Sequence, residues 1–316
     1  MVNILQYKKI YIAGHTGMVG SAIMRILKKH NVLDSNIITR LSSELDLTIQ
    51  SDVDTFFEQE KPDCVIYAAG LAGGITANIE IAAKVIYDNT MIQSNIIHFS
   101  NLYNVEKLIY ISTSGVYPPE TPQPVVESDL IEYTIPNKNG QYLNTKVIGI
   151  QMCQAYHEQY GLNVVSVLPS NIYGIKSKYN SPYTQVIPGI IKRMHEAKVN
   201  NDLEFKLWGT GKACREFLYS EDFAEAIISV VENYDSPDPI NIGSGEDISI
   251  LELTTMIKNI VGYQGKIVCD YSKPEGVMKR ILNSSKVNST GWKVSIKLKD
   301  GLKEIYKDYL YNMDSK

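Results

Sequence analysis

The amino-acid sequence predicts an α/β protein in which helices cover both faces of a parallel β-sheet. Three observations lead to this fold class. Short apolar runs alternate with amphipathic stretches along the first half of the chain. The runs are almost continuously apolar, which is typical of strands buried on both faces of a sheet. A glycine-rich turn follows the first run, at the point where such a sheet usually begins.

The predicted elements of the first half follow one another in a regular order. The first strand is KIYIAG (9–14), and a helix follows through MVGSAIMRILKKH. A second strand, NIITR (36–40), precedes a helix in SDVDTFFEQEK. Further strands are predicted at CVIYAAG (64–70), KLIYIST (107–113) and NVVSVLPS (163–170), with long helices around 79–103 and 142–160 between them.

The second half is less regular and predicts a smaller α/β lobe. Residues 174–212 are rich in Gly, Pro, Ser and Tyr, and a helix, a short strand and a second helix follow in EDFAEAIISVVENY, PINIGSG and ISILELTTMIKNIV. We therefore expect a main domain over 1–172 and about 214–243, and a smaller lobe over about 173–213 and 244–316. Ligand should bind between this lobe and the carboxyl ends of the parallel strands.

Composition excludes several classes of function. The 316 residues have a formal net charge of −4 and a pI near 5.8, which argues against a nucleic-acid-binding surface. No apolar run approaches the roughly 20 residues of a membrane-spanning helix, and the first residues do not resemble a signal peptide. The four cysteines are scattered without CxxC spacing, so we expect reduced thiols, no metal site and a cytoplasmic protein.

Gly14, Gly17 and Gly20 lie in IYIAGHTGMVGSAI, directly after the first strand and at the start of a helix. The first glycine permits a tight turn, the second lets the backbone approach a pyrophosphate, and the third allows helix and strand to pack closely. The amino end of the helix offers N–H donors to phosphate. This context predicts a Rossmann-type dinucleotide site.

The end of the second strand indicates which nicotinamide cofactor binds. An acidic residue there would hold the ribose hydroxyls of NAD, whereas an arginine accommodates the 2′-phosphate of NADP. Arg40 stands at this point and favours NADPH, unless it is only a solvated residue at a strand end. Asp46 is expected either beside the adenine or as an acidic cap of the following helix.

Tyr142 and Lys146 are four residues apart on a predicted helix and therefore share one face. A lysine cation near the phenol should stabilise phenolate and lower the tyrosine pKa. Tyr142 could then protonate an alkoxide as hydride reaches a carbonyl. Thr113, at the end of the preceding strand, would bind the same carbonyl oxygen through its hydroxyl.

Taken together, these motifs resemble the extended short-chain dehydrogenase/reductases, and more narrowly the GDP-L-fucose synthase family, which combines 3,5-epimerase and 4-reductase activities. The resemblance covers nearly the whole chain through GHTGMVGSAI, IYDNTMIQSNIIH, YLNTK, NIYG, QVIPGIIKRMHEA, WGTGKACREF, NIGSG, SKPEGVMKRIL and GW. It implies an NADPH-binding Rossmann domain and a GDP-sugar-binding lobe. The family's catalytic Ser/Thr, Tyr and Lys fall on Thr113, Tyr142 and Lys146.

The resemblance also implies two sets of binding residues. Besides Lys146, the cofactor set is Gly14, Thr16, Gly17, Met18, Val19, Gly20, Arg40, Asp46, Leu47, Ala68, Ala69, Gly70, Pro169, Asn171 and Ile172. The substrate set is Ser114, Asn171, Gln185, Val186, Arg193, Trp208, Arg215 and Arg280. Its three arginines suit a diphosphate. Trp208 offers a flat apolar face, although a tryptophan is also a common core residue.

Two positions depart from the family pattern. The family epimerises with a Cys in the strand-end motif and a His before the VIP segment, and these positions are Gly115 and Gln185 here. Neither glycine nor glutamine is a useful acid or base near neutral pH. The resemblance therefore implies a C4 reductase of a GDP-4-keto-sugar, hexose or heptose, without epimerase chemistry and with NADPH as cofactor.

Several alternatives remain open from the sequence. Ser114, Tyr183, Cys214 and His195 are the nearest substitutes for the missing epimerase groups. With such substitutes the protein would be a bifunctional GDP-L-fucose synthase. A nucleotide-sugar 4-epimerase and a catalytically inactive NADP sensor are the other candidates. A separate epimerase, a homodimer formed through the helices at 79–103 and 142–160, and a role in surface polysaccharide synthesis are expected by analogy.

Overall fold

A computed structural model describes residues 3–72, 80–130, 140–181, 184–272 and 277–314. Tyr183 lies outside the described residues. Among these residues, none of the helices has both the length and the apolar character that crossing a membrane requires.

The main sheet has six parallel strands, and its order shows where the chain changes direction. Its strands are β1 (Ile10–Ala13), β2 (Ile37–Ile38), β3 (Cys64–Tyr67), β4 (Lys107–Ile111), β5 (Val164–Pro169) and β9 (Ile240–Ile242). They lie in the order β2-β1-β3-β4-β5-β9, and every adjacent pair is parallel. After β2 the chain returns to the other side of β1, so the topological switch point lies between β1 and β3. The predicted fold class is confirmed.

Helices cover both faces of this sheet. The helices are α1 (Met18–Lys29), α2 (Gln50–Glu60), α3 (Ala82–Leu102), α4 (Gln141–Tyr160) and α6 (Ser220–Asn233). Alternate residues of β1 show the division: Ile10 and Ile12 belong to the core beneath α1 and α6, whereas Tyr11 and Ala13 face α2, α3 and α4. Burial on both faces explains the continuously apolar strand sequences.

The smaller lobe has a core of its own, formed by α5 (Val186–Val199), α7 (Ile250–Val261) and α9 (Leu298–Asp314). A mixed sheet joins it to the main domain through β6 (Asn171–Tyr173), β8 (Cys214–Tyr219), β10 (Asp247–Ser249) and β12 (Lys279–Arg280). β7 (Glu204–Trp208) pairs with β11 (Lys266–Asp270), and α8 (Ser285–Asn288) is a short helix. The exact domain boundaries stay a prediction.

The predicted elements of the first half are present, though strands are shorter than their apolar runs. NIITR forms strand only at Ile37–Ile38. Phe56 and Phe57 of the predicted helix in SDVDTFFEQEK are both buried. Residues 174–212 are more regular than their composition suggests, because they contain α5 and β7.

Candidate active site

The glycine turn forms a cradle that side chains would fill. Gly14 has a φ of +86°, and a Cβ there would lie 2.7 Å from the Ala69 backbone. A Cβ on Gly20 would overlap the Gly14 carbonyl oxygen. Gly17 is the amino-terminal cap residue of α1, and Thr16 and Gly17 are exposed. The free N–H groups at this helix start fit a pyrophosphate, as the sequence predicts.

The loop after β3 closes one side of this cradle. Ala68, Ala69 and Gly70 follow β3 directly, and the Ala68 N–H donates to the Ala13 carbonyl at 2.9 Å. Asn89 on α3 fixes the loop, because its Oδ1 accepts from the Leu71 N–H at 2.8 Å and its Nδ2 donates back to the Leu71 carbonyl at 2.9 Å. The predicted cofactor residues at 68–70 therefore lie at the switch point of the sheet.

Arg40 is held by three contacts at the end of β2. Its Nη1 donates to the Thr39 carbonyl at 2.8 Å, and its guanidinium lies 5.5 Å from the Phe56 ring centroid. Its Nη2 forms an ion pair with Glu60. The side chain is only partly exposed, so it is not a freely solvated arginine. A 2′-phosphate arriving here would meet a cation already paired with a carboxylate.

Asp46 shapes the turn that leads into α2. Its Oδ1 accepts from the Thr48 N–H at 2.9 Å and from the Thr48 hydroxyl at 2.7 Å, and these bonds lower the pKa of the carboxyl. The cap residue of α2 is Ile49, so the direct helix cap considered for Asp46 is wrong. The Leu47 carbonyl is bound by the Asn95 side chain at 2.9 Å.

The remaining cofactor candidates surround the glycine turn and the end of β5. Pro169 ends β5 and pairs with Ile242. Asn171 begins β6, is exposed, and donates from Nδ2 to the Glu216 carbonyl at 2.9 Å. The other members are half-buried: Met18, Val19 and Ile172.

The three predicted catalytic residues converge where β4 meets α4. Lys146 Nζ donates to the Ile111 carbonyl at 2.8 Å, two residues before Thr113. The same ammonium lies 5.8 Å from the Tyr142 ring centroid. Thr113 caps the turn Ser114–Val116, since its Oγ1 accepts from the Gly115 N–H at 3.2 Å. Because Thr113 Oγ1 is the acceptor in this bond, its hydroxyl hydrogen can be donated to a substrate oxygen.

Burial determines the protonation states of the pair. Loss of hydration lowers the pKa of Lys146 to about 8 and raises the pKa of Tyr142 to about 12. The predicted net lowering of the phenol pKa is therefore wrong for the chain as folded, because burial raises the pKa of Tyr142 despite the neighbouring cation. The ammonium is bound to a backbone carbonyl and is itself desolvated, so burial outweighs its effect on the phenol. At neutral pH Tyr142 is a protonated donor beside a largely charged lysine.

Gly115 lies between Thr113 and a leucine that the sequence did not single out. A Cβ on Gly115 would be 2.8 Å from Leu143 Cδ2 and 3.6 Å from Thr113 Oγ1. Leu143 follows Tyr142 on α4 and is half-buried. The space beside the Thr113 hydroxyl is thus filled by a methyl group of Leu143 on α4. Neither Gly115 nor the Leu143 side chain can take a proton from carbon or return one.

One substrate cluster lies on the smaller lobe around Trp208. Trp208 is 55% exposed, so the alternative of a buried core tryptophan is wrong. The Arg193 guanidinium lies 5.4 Å from the Trp208 ring centroid and 4.9 Å from that of Phe205, and burial lowers the arginine pKa. Gln185 and Val186 at the start of α5 are both exposed.

A second cluster contains Arg215 and Arg280, which lie opposite each other on the neighbouring parallel strands β8 and β12. Arg280 is buried and donates from Nη2 to the Tyr117 carbonyl at 3.0 Å, while Arg215 donates from Nη1 to the Cys214 carbonyl at 2.7 Å. Glu216, also buried, accepts from the backbone N–H groups of Gly245 at 2.7 Å and Leu282 at 2.9 Å. Its carboxylate therefore fastens the loop after β9 to the strand that holds Arg280.

The structure gives no support to the substitute epimerase groups among the described residues. His195 Nδ1 lies 3.0 Å from the Tyr306 hydroxyl within the core of the smaller lobe, and burial lowers its pKa. The Cys214 thiol contacts the Lys212 carbonyl at 3.5 Å. Ser114 is buried beside Gly115. His15 belongs to the glycine turn, where its Nδ1 is buried.

Sequence reasoning missed residues whose roles depend on long-range packing. They are Glu60 at Arg40, Asn89 at the cofactor loop, Leu143 at Gly115, Glu216 between two loops, and Tyr67 and Tyr110 beneath Lys146. No local signal singles out Asn89, because its helix also carries polar residues such as Asp88, Gln93 and Asn95.

Comparison with known proteins agrees with this geometry. The model of the NAD dependent epimerase/dehydratase family matches residues 10–243. GDP-L-fucose synthase 1 of Arabidopsis thaliana is 41% identical over 96% of this chain and 94% of its own length. Among solved structures, a GDP-6-OMe-4-keto-L-xylo-heptose reductase from C. jejuni shares 33% identity with a TM-score of 0.91, covering 98% of this chain and 100% of that one.

A second solved structure is a GDP-mannoheptose C4 reductase from Campylobacter jejuni with NADP bound. It is 34% identical, with a TM-score of 0.85, over 96% of this chain and 98% of that one. Full-length relatives at this level of identity show the family. The chain therefore belongs to the NAD dependent epimerase/dehydratase family and, within it, to the GDP-L-fucose synthases and their related GDP-sugar reductases.

Proposed function

We propose that the protein is an NADPH-dependent reductase of the C4 carbonyl of a GDP-4-keto-sugar, a 6-deoxyhexose or a heptose, without 3,5-epimerase chemistry. One observation supports this choice more than any other. The Lys146 ammonium binds the Ile111 carbonyl two residues before Thr113 and lies 5.8 Å from the Tyr142 ring centroid, while Gly115 offers no ionisable group and Leu143 lies beside it. These groups suit reduction, and none of the described residues at this position supplies the base that epimerisation needs.

The chain's residues divide the work of reduction among them. The glycine cradle and Arg40 would hold NADPH, which would supply the hydride. Thr113 holds the substrate carbonyl oxygen by a hydrogen bond, and Tyr142 delivers a proton to the same oxygen as negative charge develops. The raised pKa of Tyr142 keeps the phenol protonated before the reaction. The Lys146 ammonium stabilises the phenolate that remains.

The nucleotide end of the substrate would bind on the smaller lobe. Trp208 presents an exposed ring for stacking of a base, and Arg193 beside it adds positive charge. Arg215 and Arg280 stand on adjacent strands and suit a diphosphate, which prefers guanidinium donors. Relatives named for GDP-linked sugars support this substrate class.

The wider setting belongs to the same proposal. Loss of the epimerase groups means that the substrate arrives either unepimerised or epimerised by a separate enzyme. The enzyme would act in the cytoplasm, and its product would supply the synthesis of surface polysaccharide. A homodimer through α3 and α4 is expected by analogy; these helices pack side by side, and Tyr87 on α3 and Ile148 on α4 expose apolar surface.

The test is turnover in D2O with a panel of GDP-4-keto-hexoses and heptoses, with and without a 3,5-epimerase. We expect NADPH oxidation that matches product formation, and no deuterium at C3 or C5 unless the epimerase is added. Deuterium at these carbons with this protein alone would favour the bifunctional synthase. Sugar inversion without net NADPH consumption would favour a 4-epimerase.

Tyr142→Phe tests the proton donor. Loss of general acid catalysis should lower kcat by about 100-fold or more. Tyr160→Phe is the matched control, because Tyr160 lies on the same helix with its ring largely exposed. Full turnover by Tyr142→Phe would contradict the proposed mechanism.

A further inference from the structure

Two buried tyrosines form a platform beneath the catalytic lysine. Tyr67 and Tyr110 are register partners on the adjacent strands β3 and β4, and both are almost completely inaccessible to solvent. Their ring centroids are 5.5 Å apart, with 33° between the ring planes. Parallel strands place these two side chains on the same face of the sheet, the face covered by α3 and α4.

The Lys146 ammonium rests on this platform. Its Nζ lies 5.3 Å from the Tyr67 ring centroid and 5.1 Å from that of Tyr110, so the cation and the two rings form a nearly equilateral triangle. Lys146 itself is buried. A ring face attracts a cation, and the attraction is stronger where water is excluded. The platform thus replaces part of the hydration that the ammonium has lost.

We propose that Tyr67 and Tyr110 are positioning residues of the reductase, whose rings hold the Lys146 ammonium in its charged form and against the Ile111 carbonyl, next to Tyr142. This inference rests on the proposed function. In the absence of the rings, the lysine would be a desolvated amine with one hydrogen bond to the backbone. Its charge, and with it the stabilisation of the phenolate, would be lost at lower pH.

The way each ring is held supports a role for the ring itself. The Tyr110 hydroxyl donates to Gln93 Oε1 at 2.9 Å, and Gly149 on α4 leaves room for it, since a Cβ there would overlap that hydroxyl. The Tyr67 hydroxyl is buried and has no hydrogen-bond partner within the described part of the chain. Because an unpaired buried hydroxyl stabilises nothing, the contribution of Tyr67 to the site comes from its ring.

Lys146 is the group expected to titrate in the working pH range. The titratable groups that face it are Tyr67 from β3, Tyr110 from β4, and Tyr142 and Cys153 from α4. Burial raises the pKa of each of these four well above neutrality, and Gln93 on α3 does not titrate. An alkaline decline of activity beginning near pH 8 would therefore report deprotonation of Lys146.

The experiment compares Tyr67→Leu, which removes the ring, with Tyr67→Phe, which removes only the unpaired hydroxyl. The pH profile of kcat/KM for NADPH-dependent reduction is one measurement. The other is NMR titration of the Lys146 side chain in the full-length protein, using [13C]lysine, with its signal assigned by disappearance in Lys146→Met. The NMR titration does not depend on turnover, so a failure of the proposed reaction is distinguishable from a failure of the positioning role.

In Tyr67→Leu we expect both the alkaline limb and the NMR titration of Lys146 to move to lower pH by about one unit. Tyr67→Phe should coincide with the wild type in both. If Tyr67→Leu does not fold, Tyr110→Leu is compared with Tyr110→Phe, which keeps the ring but also removes the hydrogen bond to Gln93. An unchanged Lys146 titration in a folded leucine variant, or an equal displacement in the phenylalanine variant, would overturn the proposal.

Discussion

Gly115→Cys should not restore a proton-abstracting group unless Leu143 is also changed. A Cβ at residue 115 would lie 2.8 Å from Leu143 Cδ2, whereas non-bonded carbon atoms prefer about 3.5–4.0 Å. The leucine must therefore move. The blocking atom is the end of a half-buried, flexible side chain, so the cost should be at the lower end of the range for overpacking, about 1 kcal/mol.

A double-mutant cycle measures this contact. Leu143→Ala alone should destabilise the protein by about 2 kcal/mol, because the side chain is only half-buried. In the double variant the cysteine occupies space that the leucine has vacated, so the total destabilisation should be smaller than the sum of the two by about 1 kcal/mol. Urea unfolding of the four proteins gives these free energies.

The same four proteins give a functional readout. We expect slow exchange of deuterium into the ketosugar at C3 or C5 with the double variant only, since only there can the thiol lie freely beside Thr113. Two results would refute this reasoning: free energies that add within about 0.3 kcal/mol, or exchange as rapid in Gly115→Cys as in the double variant.

Three further predictions follow from individual contacts. Glu60→Gln should lower the KM for NADPH by about threefold, with little change for NADH, because the carboxylate that neutralises Arg40 is removed. Gly149→Ala should lower the free energy of unfolding by about 3 kcal/mol through overlap with a rigid tyrosine, whereas Gly189→Ala, where a Cβ meets only an ordinary contact at 3.5 Å, should raise it by about 0.5 kcal/mol; thermal unfolding checks both. Lys146→Met should be inactive and, at pH 7, more stable than the wild type by up to about 3 kcal/mol. The reason is that burial lowers the pKa of Lys146 from 10.5 in the unfolded chain to about 8 in the folded one, and this costs the wild type stability at every pH below 10.5. The difference in stability should shrink as the pH rises from 8 to 10.5.

Local sequence signals were sufficient for the main domain. The order of β1, the glycine turn and α1 follows from an apolar run, three glycines and an amphipathic stretch that are contiguous in the chain. The spacing of Tyr142 and Lys146 fixes their shared face as soon as the helix is assigned. Both inferences need only neighbours a few residues away, which is why the sequence was informative there.

The smaller lobe was harder to predict for a physical reason. Its mixed sheet joins segments that are spread from residues 171 to 280 of the chain. In β7, buried and exposed residues alternate, and its partner β11 lies some sixty residues further along the chain. Such strands gain their stability from tertiary pairing, so composition alone suggested an irregular region.

The electrostatics of the site were also beyond local reasoning. A Tyr-Lys pair taken alone suggests a phenol whose pKa is lowered by its neighbour, yet burial raises the pKa of Tyr142 to about 12. The sign depends on how completely α4 and the sheet exclude water from both groups, and on the Ile111 carbonyl that engages the ammonium. Neither quantity can be read from a spacing of four residues.

Reduction and epimerisation place different demands on this site. In the proposed mechanism, reduction depends on Thr113, Tyr142 and Lys146, so a single substitution such as Tyr142→Phe should remove most of the activity. Proton abstraction from carbon would require a new ionisable group at residue 115 and, at the same time, displacement of Leu143 from the space that this group must occupy. Gly115→Cys alone is destabilising, and Leu143→Ala alone adds no ionisable group. If the site is reductase-only, as proposed, the contact between Gly115 and Leu143 makes this state harder to reverse than the identity of residue 115 alone would suggest.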